Sequence, residues 1–317
     1  MNKIDLHVHC LPSSFKKALL DNNLTHPDGF PTPDWSAKDH LEMMKRLKID
    51  FSMLSISSPY ICLGDDNYNK ILSRKVNNEC FNIVKEHPNK FGFIASLPLL
   101  NTQDSIKEIN YVFNDLNADG VMFPTNIDGV YLGNPKLDSI FEELNKHNAI
   151  VLIHPTTPSA LPEDVNENLP IPLMEFFFDT TRAITNMMLK GTLNKFPNIK
   201  FIIPHAGAFL PLLADRLDSY RDVMKMRGDT YVPNFFSDLK KFYYDLAGFC
   251  IPRQLEVLLQ VADKDHLLYG SDYPYTPEFK CSALQEMLNN TTLINNEDRE
   301  NLYLKNAFNL FPRLSKI

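Results

Sequence analysis

Short apolar runs alternate with longer segments whose apolar residues recur three and four positions apart, almost from one end of the chain to the other. The short runs predict eight strands, over 3–9, 51–57, 91–99, 120–125, 150–155, 200–207, 242–248 and 266–274. Among the longer segments, 36–48, 69–87, 105–117 and 136–148 read as amphipathic helices. Strands spaced by helices in this way are parallel and buried on both faces. Eight strand–helix repeats with little left over predict an α/β fold, a closed (β/α)8 TIM barrel in one domain over residues 1–317. An open doubly wound sheet fits less well, and no glycine-rich phosphate loop follows any strand.

Two stretches break the alternation. Residues 11–36 follow strand one and residues 155–178 follow strand five. Both insertions leave from the C-terminal end of a strand, the rim on which barrel enzymes build their sites, and segments this long are expected as lids or binding walls. Their Phe30, Trp35, Phe176, Phe177 and Phe178 would wall a flat and mostly apolar ring.

Composition narrows the partners. With 44% hydrophobic and 22% charged residues in 317, the chain has the make-up of a soluble globular protein with a sizeable core. A net charge of -7 and the lack of any Lys/Arg cluster argue against a nucleic-acid partner. No apolar run is long enough to predict a membrane span, and Met1 leads straight into a charged strand without a signal-like apolar segment. The five cysteines, Cys10, Cys62, Cys80, Cys250 and Cys281, are odd in number and form no C-x-x-C pair, so reduced thiols and a cytoplasmic location are expected.

The candidate chemistry sits at the strand ends. Strand one closes on "HVH", which sets His7 and His9 on one face of the strand, close enough to share an ion. Strand five ends in His154, strand six in His205 and strand eight in Asp272. In a barrel these ends meet at one rim, so four of the nine histidines and a carboxylate converge. Imidazole nitrogens and a carboxylate oxygen suit one divalent first-row ion with a position left open, and His7, His9, His154 and Asp272 are the expected ligands. A second ion would need a bridging group, commonly from a lysine at the end of strand four, where this chain has Phe123, Pro124 and Thr125. His205 has no evident metal duty, and is expected as general acid or base.

These residues resemble those of the amidohydrolase superfamily. Three segments, "DTTRAITNMMLKGTLNKFPNIKFIIPHAGAFLPLLADRL", "LYGSDYPY" and "TPDWS…MLSISSP", are similar to the decarboxylase branch. That branch contains α-amino-β-carboxymuconate-semialdehyde, γ-resorcylate and 6-methylsalicylate decarboxylases. The resemblance runs from Ile4 to about Phe311 and implies one Zn or Mn ion on the four expected ligands, with proton transfer at His205. It also implies a homodimer in which Arg216 crosses the interface to grip a substrate carboxylate. One departure stands out: "DHLEMMKRL" carries His40 and Glu42 near positions where the muconate enzyme has arginines, which argues against a dicarboxylate substrate.

Two reactions fit this set. One is non-oxidative decarboxylation of a small hydroxylated aromatic acid, with Asp272 or His205 as the catalytic proton carrier and Arg216, Trp35 and Phe177 binding the substrate. The other is metal-dependent hydrolysis of a cyclic amide, ester or lactone, with the same groups serving an activated water. The resemblance favours decarboxylation, and the residues alone leave both open.

Overall fold

The computed structural model describes residues 2–99, 101–162, 165 and 169–316. Eight parallel strands run in chain order around one sheet. They are β1 (Ile4–His9), β2 (Phe51–Ser55), β3 (Phe91–Ala95), β4 (Gly120–Pro124), β5 (Ile150–His154), β6 (Lys200–Ile203), β7 (Tyr243–Asp245) and β8 (Leu267–Leu268). The sheet closes on itself where Leu6 N–H donates to Tyr269 O at 3.0 Å and Asp272 N–H to His7 O at 2.8 Å. Between the strands lie the expected helices, now Ala37–Leu47, Asp66–Glu86, Thr102–Asn114 and Asp138–Lys146.

Local chemistry sets these boundaries. Ser36 caps the Ala37–Leu47 helix by accepting from Asp39 N–H at 3.1 Å, and Lys48 ends it in the left-handed conformation. Along β1, Ile4, Leu6 and Val8 alternate with Asp5, His7 and His9, and all six are buried because one face meets the helices and the other the barrel interior. The apolar core fills the space between strands and helices, as where the Phe123 and Phe141 rings stack at 5.1 Å.

Several strands are shorter than the apolar runs suggest. β6 stops at Ile203 because Pro204 has no N–H to continue the ladder and His205 and Ala206 turn left-handed at φ 54° and 52°. Beyond Leu268 the chain spends its hydrogen bonds on closing the barrel, and Asp272 turns out of the sheet at φ 62°. The first insertion is not irregular throughout. Ser13–Asp21 forms a helix that buries Phe15, Ala18 and Leu19, and Ser13 Oγ ties it to Glu79 on the Asp66–Glu86 helix at 2.9 Å. A small hairpin, Asn126–Ile127 with Val130–Tyr131, follows β4 and was not legible as a strand pair. In the second insertion, residues 163, 164 and 166–168 lie outside the described residues; its end is already helical, in Glu175–Leu189. Among the described residues no helix is long and apolar enough to cross a membrane.

Candidate active site

Four histidines and Asp272 meet at the C-terminal rim, as their strand-end positions require. The ligand-type atoms of His7, His9 and His154 all lie within 4.8 Å of one another. His205 joins them, its ring 5.1 Å from that of His7 and 6.4 Å from that of His154. Asp272 Oδ1 is 3.2 Å from His9 Nε2 and 3.7 Å from His7 Nε2.

The outer hydrogen bonds decide which way each ring presents its lone pair. His9 Nδ1 faces Ile56 O at 3.2 Å, and His154 Nδ1 faces Pro155 O at 2.7 Å. A carbonyl only accepts, so both Nδ1 atoms carry the hydrogen and both Nε2 atoms present lone pairs. His7 Nδ1 donates in the same sense to Asp245 Oδ2 at 2.8 Å. His7 Nε2 and His9 Nε2 then face each other at 3.2 Å with a carboxylate oxygen beside them. Atoms that face one another in this way need a positive charge between them, from a proton or from a metal ion. The donor set therefore fits one divalent ion.

Electrostatics follow from burial and these contacts. Burial works against charge on His7, but the Asp245 carboxylate and the hydrogen bond to it prevail and raise it to about 9, so with no ion bound a proton occupies Nε2, the position a divalent ion would take. Burial lowers His205 to about 4, leaving a neutral imidazole at neutral pH. Burial also acts to raise Asp272, yet the adjacent His9 ring and the neighbouring imidazoles, His7 above all, hold it well below the usual carboxylate range.

Asp245 is the functional residue that the strand-end reading passed over. Its other oxygen, Oδ1, accepts from the backbone N–H of His205 at 3.1 Å and of Ala247 at 3.2 Å, so one buried carboxylate orients both His7 and the β6 turn. The expected strand, 242–248, runs three residues too far, which leaves Asp245 in its middle rather than at the end where the structure puts it. Gly248 matters for a related reason. At φ 80° it passes so near His205 that a Cβ there would meet the ring's Cδ2 at 3.0 Å. On the opposite side, Asp179 accepts from Thr125 Oγ1, Tyr131 OH and, at 2.9 Å, Asn126 Nδ2, while Thr125 Oγ1 accepts from Thr156 N–H at 3.2 Å. That network fixes the chain just beyond His154, and it occupies the Thr125 hydroxyl at the end of β4.

The cluster opens into a cavity of about 470 Å3. His154, His205 and Asp272 form its polar end, and Phe30, Phe176 and Phe177 stand in its walls. Phe177 stacks on His205 at 5.7 Å and 23°, which presents a flat apolar face beside that imidazole. The other two expected substrate contacts are placed elsewhere. Trp35 does not line this cavity; it packs on the core, and its indole N–H donates to His40 Nδ1 at 3.0 Å. His40 is itself buried, which removes it from the substrate. Arg216, on the Leu210–Ser219 helix, is exposed and outside the cavity of its own chain.

Residues 4–313 match the family model described as Amidohydrolase. The chain belongs to the amidohydrolase family. Among curated relatives of this amidohydrolase, Decarboxylase macB of Penicillium terrestre is 32% identical over 99% of this chain and 96% of its own. The 6-methylsalicylic acid decarboxylase of Penicillium expansum is 30% identical over 100% and 98%. A solved structure, "Amidohydrorolase II", superposes with a TM-score of 0.93 at 38% identity, covering 98% of this chain and 100% of the other.

Proposed function

We propose that this amidohydrolase is a non-oxidative decarboxylase, a carboxy-lyase acting on a small hydroxylated aromatic acid of salicylate or resorcylate type. The observation that carries the reading is the convergence of three imidazole lone pairs and Asp272 at the polar end of a cavity walled by phenylalanines. Full-length relatives that are themselves named decarboxylases support it. His7, His9, His154 and Asp272 would hold one Zn or Mn ion. When bound, the ion supplies positive charge that anchors the substrate's carboxylate and ortho-hydroxyl and stabilises negative charge on them.

The chain's own residues handle the protons. Asp272 rests as a carboxylate, so it is ready to take the proton of the ortho-hydroxyl as the substrate binds. It then gives that proton to the ring carbon bearing the carboxylate. The carbon–carbon bond breaks, its electron pair restores the aromatic ring, and CO2 leaves. His205 serves as relay partner, because a neutral imidazole donates at one nitrogen and accepts at the other. Phe177, stacked on His205, sets the plane of the substrate ring.

CO2 release from a panel of salicylates and resorcylates, run beside cyclic amides, esters and lactones, tests the reaction. Release from the aromatic acids is the expected result; turnover of the lactones without CO2 would make the protein a hydrolase.

Residues 1–317 are proposed to work as one domain, as a homodimer in a reducing compartment such as the cytoplasm; all five cysteines are free. Arg216, exposed on its own chain, would then complete the neighbour's site. Charge reversal by Arg216→Glu should raise KM for the acid about tenfold or more, the scale of a lost charge-assisted hydrogen bond. Wild-type kinetics with the dimer intact by sedimentation would leave Arg216 a surface charge.

A further inference from the structure

The cavity wall holds a second carboxylate that the histidine cluster does not use. Asp28 sits in the Pro27–Gly29 turn at the tip of the first insertion, in the left-handed conformation at φ 56°. The tip is wedged in place: Gly29 follows at φ 82°, and a Cβ on it would meet Pro170 Cα in the second insertion at 3.3 Å. Asp28 Oδ1 accepts from Thr157 Oγ1, and the Ser58 hydroxyl bonds to the same carboxyl. Thus side chains from both insertions and from the loop after β2 converge on one acidic group.

That group has acceptor capacity to spare. A carboxylate offers about four lone-pair positions, and two hydroxyls leave the others for the cavity on which Asp28 borders. Much of the cavity wall, Phe30, Phe176, Phe177 and Phe249, offers no donor, and Tyr275 and Lys280 are among the polar groups it carries besides. Tyr275 connects this wall to the histidines. Its ring meets that of His9 edge-on at 5.6 Å, while the charges of both Asp28 and Asp272 act on its hydroxyl.

We propose that Asp28 is a specificity-determining residue, accepting a hydrogen bond from a second ring hydroxyl, so that this chain prefers dihydroxylated aromatic acids to their methyl-substituted counterparts. The inference rests on the decarboxylase reading above. A methyl group at that edge leaves the carboxylate's remaining lone pairs desolvated and unpaired, and a second carboxylate sets like charges together. A hydroxyl meets neither difficulty.

The test compares 2,3-, 2,4- and 2,6-dihydroxybenzoate, each with the salicylate carrying methyl in place of the second hydroxyl, on the metal-loaded protein. The dihydroxy acid of at least one pair should win in kcat/KM by about tenfold or more. Asp28→Gly, which suits the left-handed φ and removes the acceptor, should lower that ratio by about tenfold. Asp28→Asn, which keeps one acceptor oxygen, should fall between. Each ratio is taken on a single preparation, so the folded fraction cancels. A ratio that Asp28→Gly leaves unchanged in every pair, or a wild type preferring the methyl acids, overturns the proposal.

Calorimetry with the product phenols, catechol and resorcinol against the cresols, reads the same wall without turnover. If none of the acids releases CO2, the decarboxylase reading fails. Preferential binding of a dihydroxyphenol that Asp28→Gly abolishes would still support the role of Asp28, and equal binding of both phenols to the wild type would refute it.

Discussion

Replacing Asp272 by Asn should cut CO2 release by about a hundredfold to ten-thousandfold, the range for a lost proton carrier. The substitution keeps the size of the side chain and one oxygen that can still face His9 Nε2, now 3.2 Å from Asp272 Oδ1. What it removes is the ability to take a proton from the substrate's hydroxyl and hand it to the ring. Measuring metal content beside kcat separates the two duties proposed for this residue. Metal retained with turnover lost assigns the proton transfer to Asp272; metal and turnover lost together assign it chiefly as a ligand. A companion His205→Gln variant completes the comparison. If His205 is the relay, its loss slows proton supply and leaves metal content intact, whereas wild-type turnover in both variants would refute the proton-transfer scheme. Both groups can take the first proton, Asp272 as a carboxylate and His205 as a neutral imidazole, and the pair of variants tells which does.

What made these residues legible in the sequence was their position. A strand buried on both faces has no room for unpaired charge in its middle, so the polar residues that end β1 and β5, and His205 just past β6, stand out against the apolar run before them. Closure of the barrel then brings them together without further information. Residues whose placement depends on how loops pack were not legible in this way. Trp35 lies in an insertion rich in aromatics, yet a few residues decide whether such a ring turns to the cavity or to the core, and the His40 acceptor on the next helix takes it to the core side. The Ser13–Asp21 helix is short, and its formation depends on a partner, Glu79, 66 residues away. Arg216 is harder still. An exposed arginine on a helix carries the same local pattern whether it faces solvent or a second subunit, so only the family resemblance singles it out.

Stripping the protein with a chelator should abolish CO2 release, and about one equivalent of Mn or Zn per chain should restore it. The expectation comes from the facing lone pairs. His7 Nε2 and His9 Nε2, 3.2 Å apart, have their Nδ1 hydrogens committed to Asp245 and to Ile56 O, so both face the ion's position, where a proton on His7 is its competitor. The fold should survive removal, because the four ligands are a small part of a core built from all eight strands and the helices around them. Stability should still respond. Free metal at about a thousand times its Kd adds about 4 kcal/mol, which in a chain of this size raises Tm by roughly 6 °C. Imidazoles bind metal only when unprotonated, so the same titration should show weaker uptake at about pH 5.5 than at about pH 7.5. Three readouts thus move together: metal content by elemental analysis, Tm by calorimetry, and CO2 release. A stripped protein holding well under 0.1 equivalent of metal, by order of magnitude too little to occupy a one-ion site, yet still releasing CO2 at the untreated rate, would remove the ion from the reaction. A second equivalent needed for full activity would contradict the single-ion site expected where β4 ends in Phe123, Pro124 and Thr125 and offers no lysine to bridge.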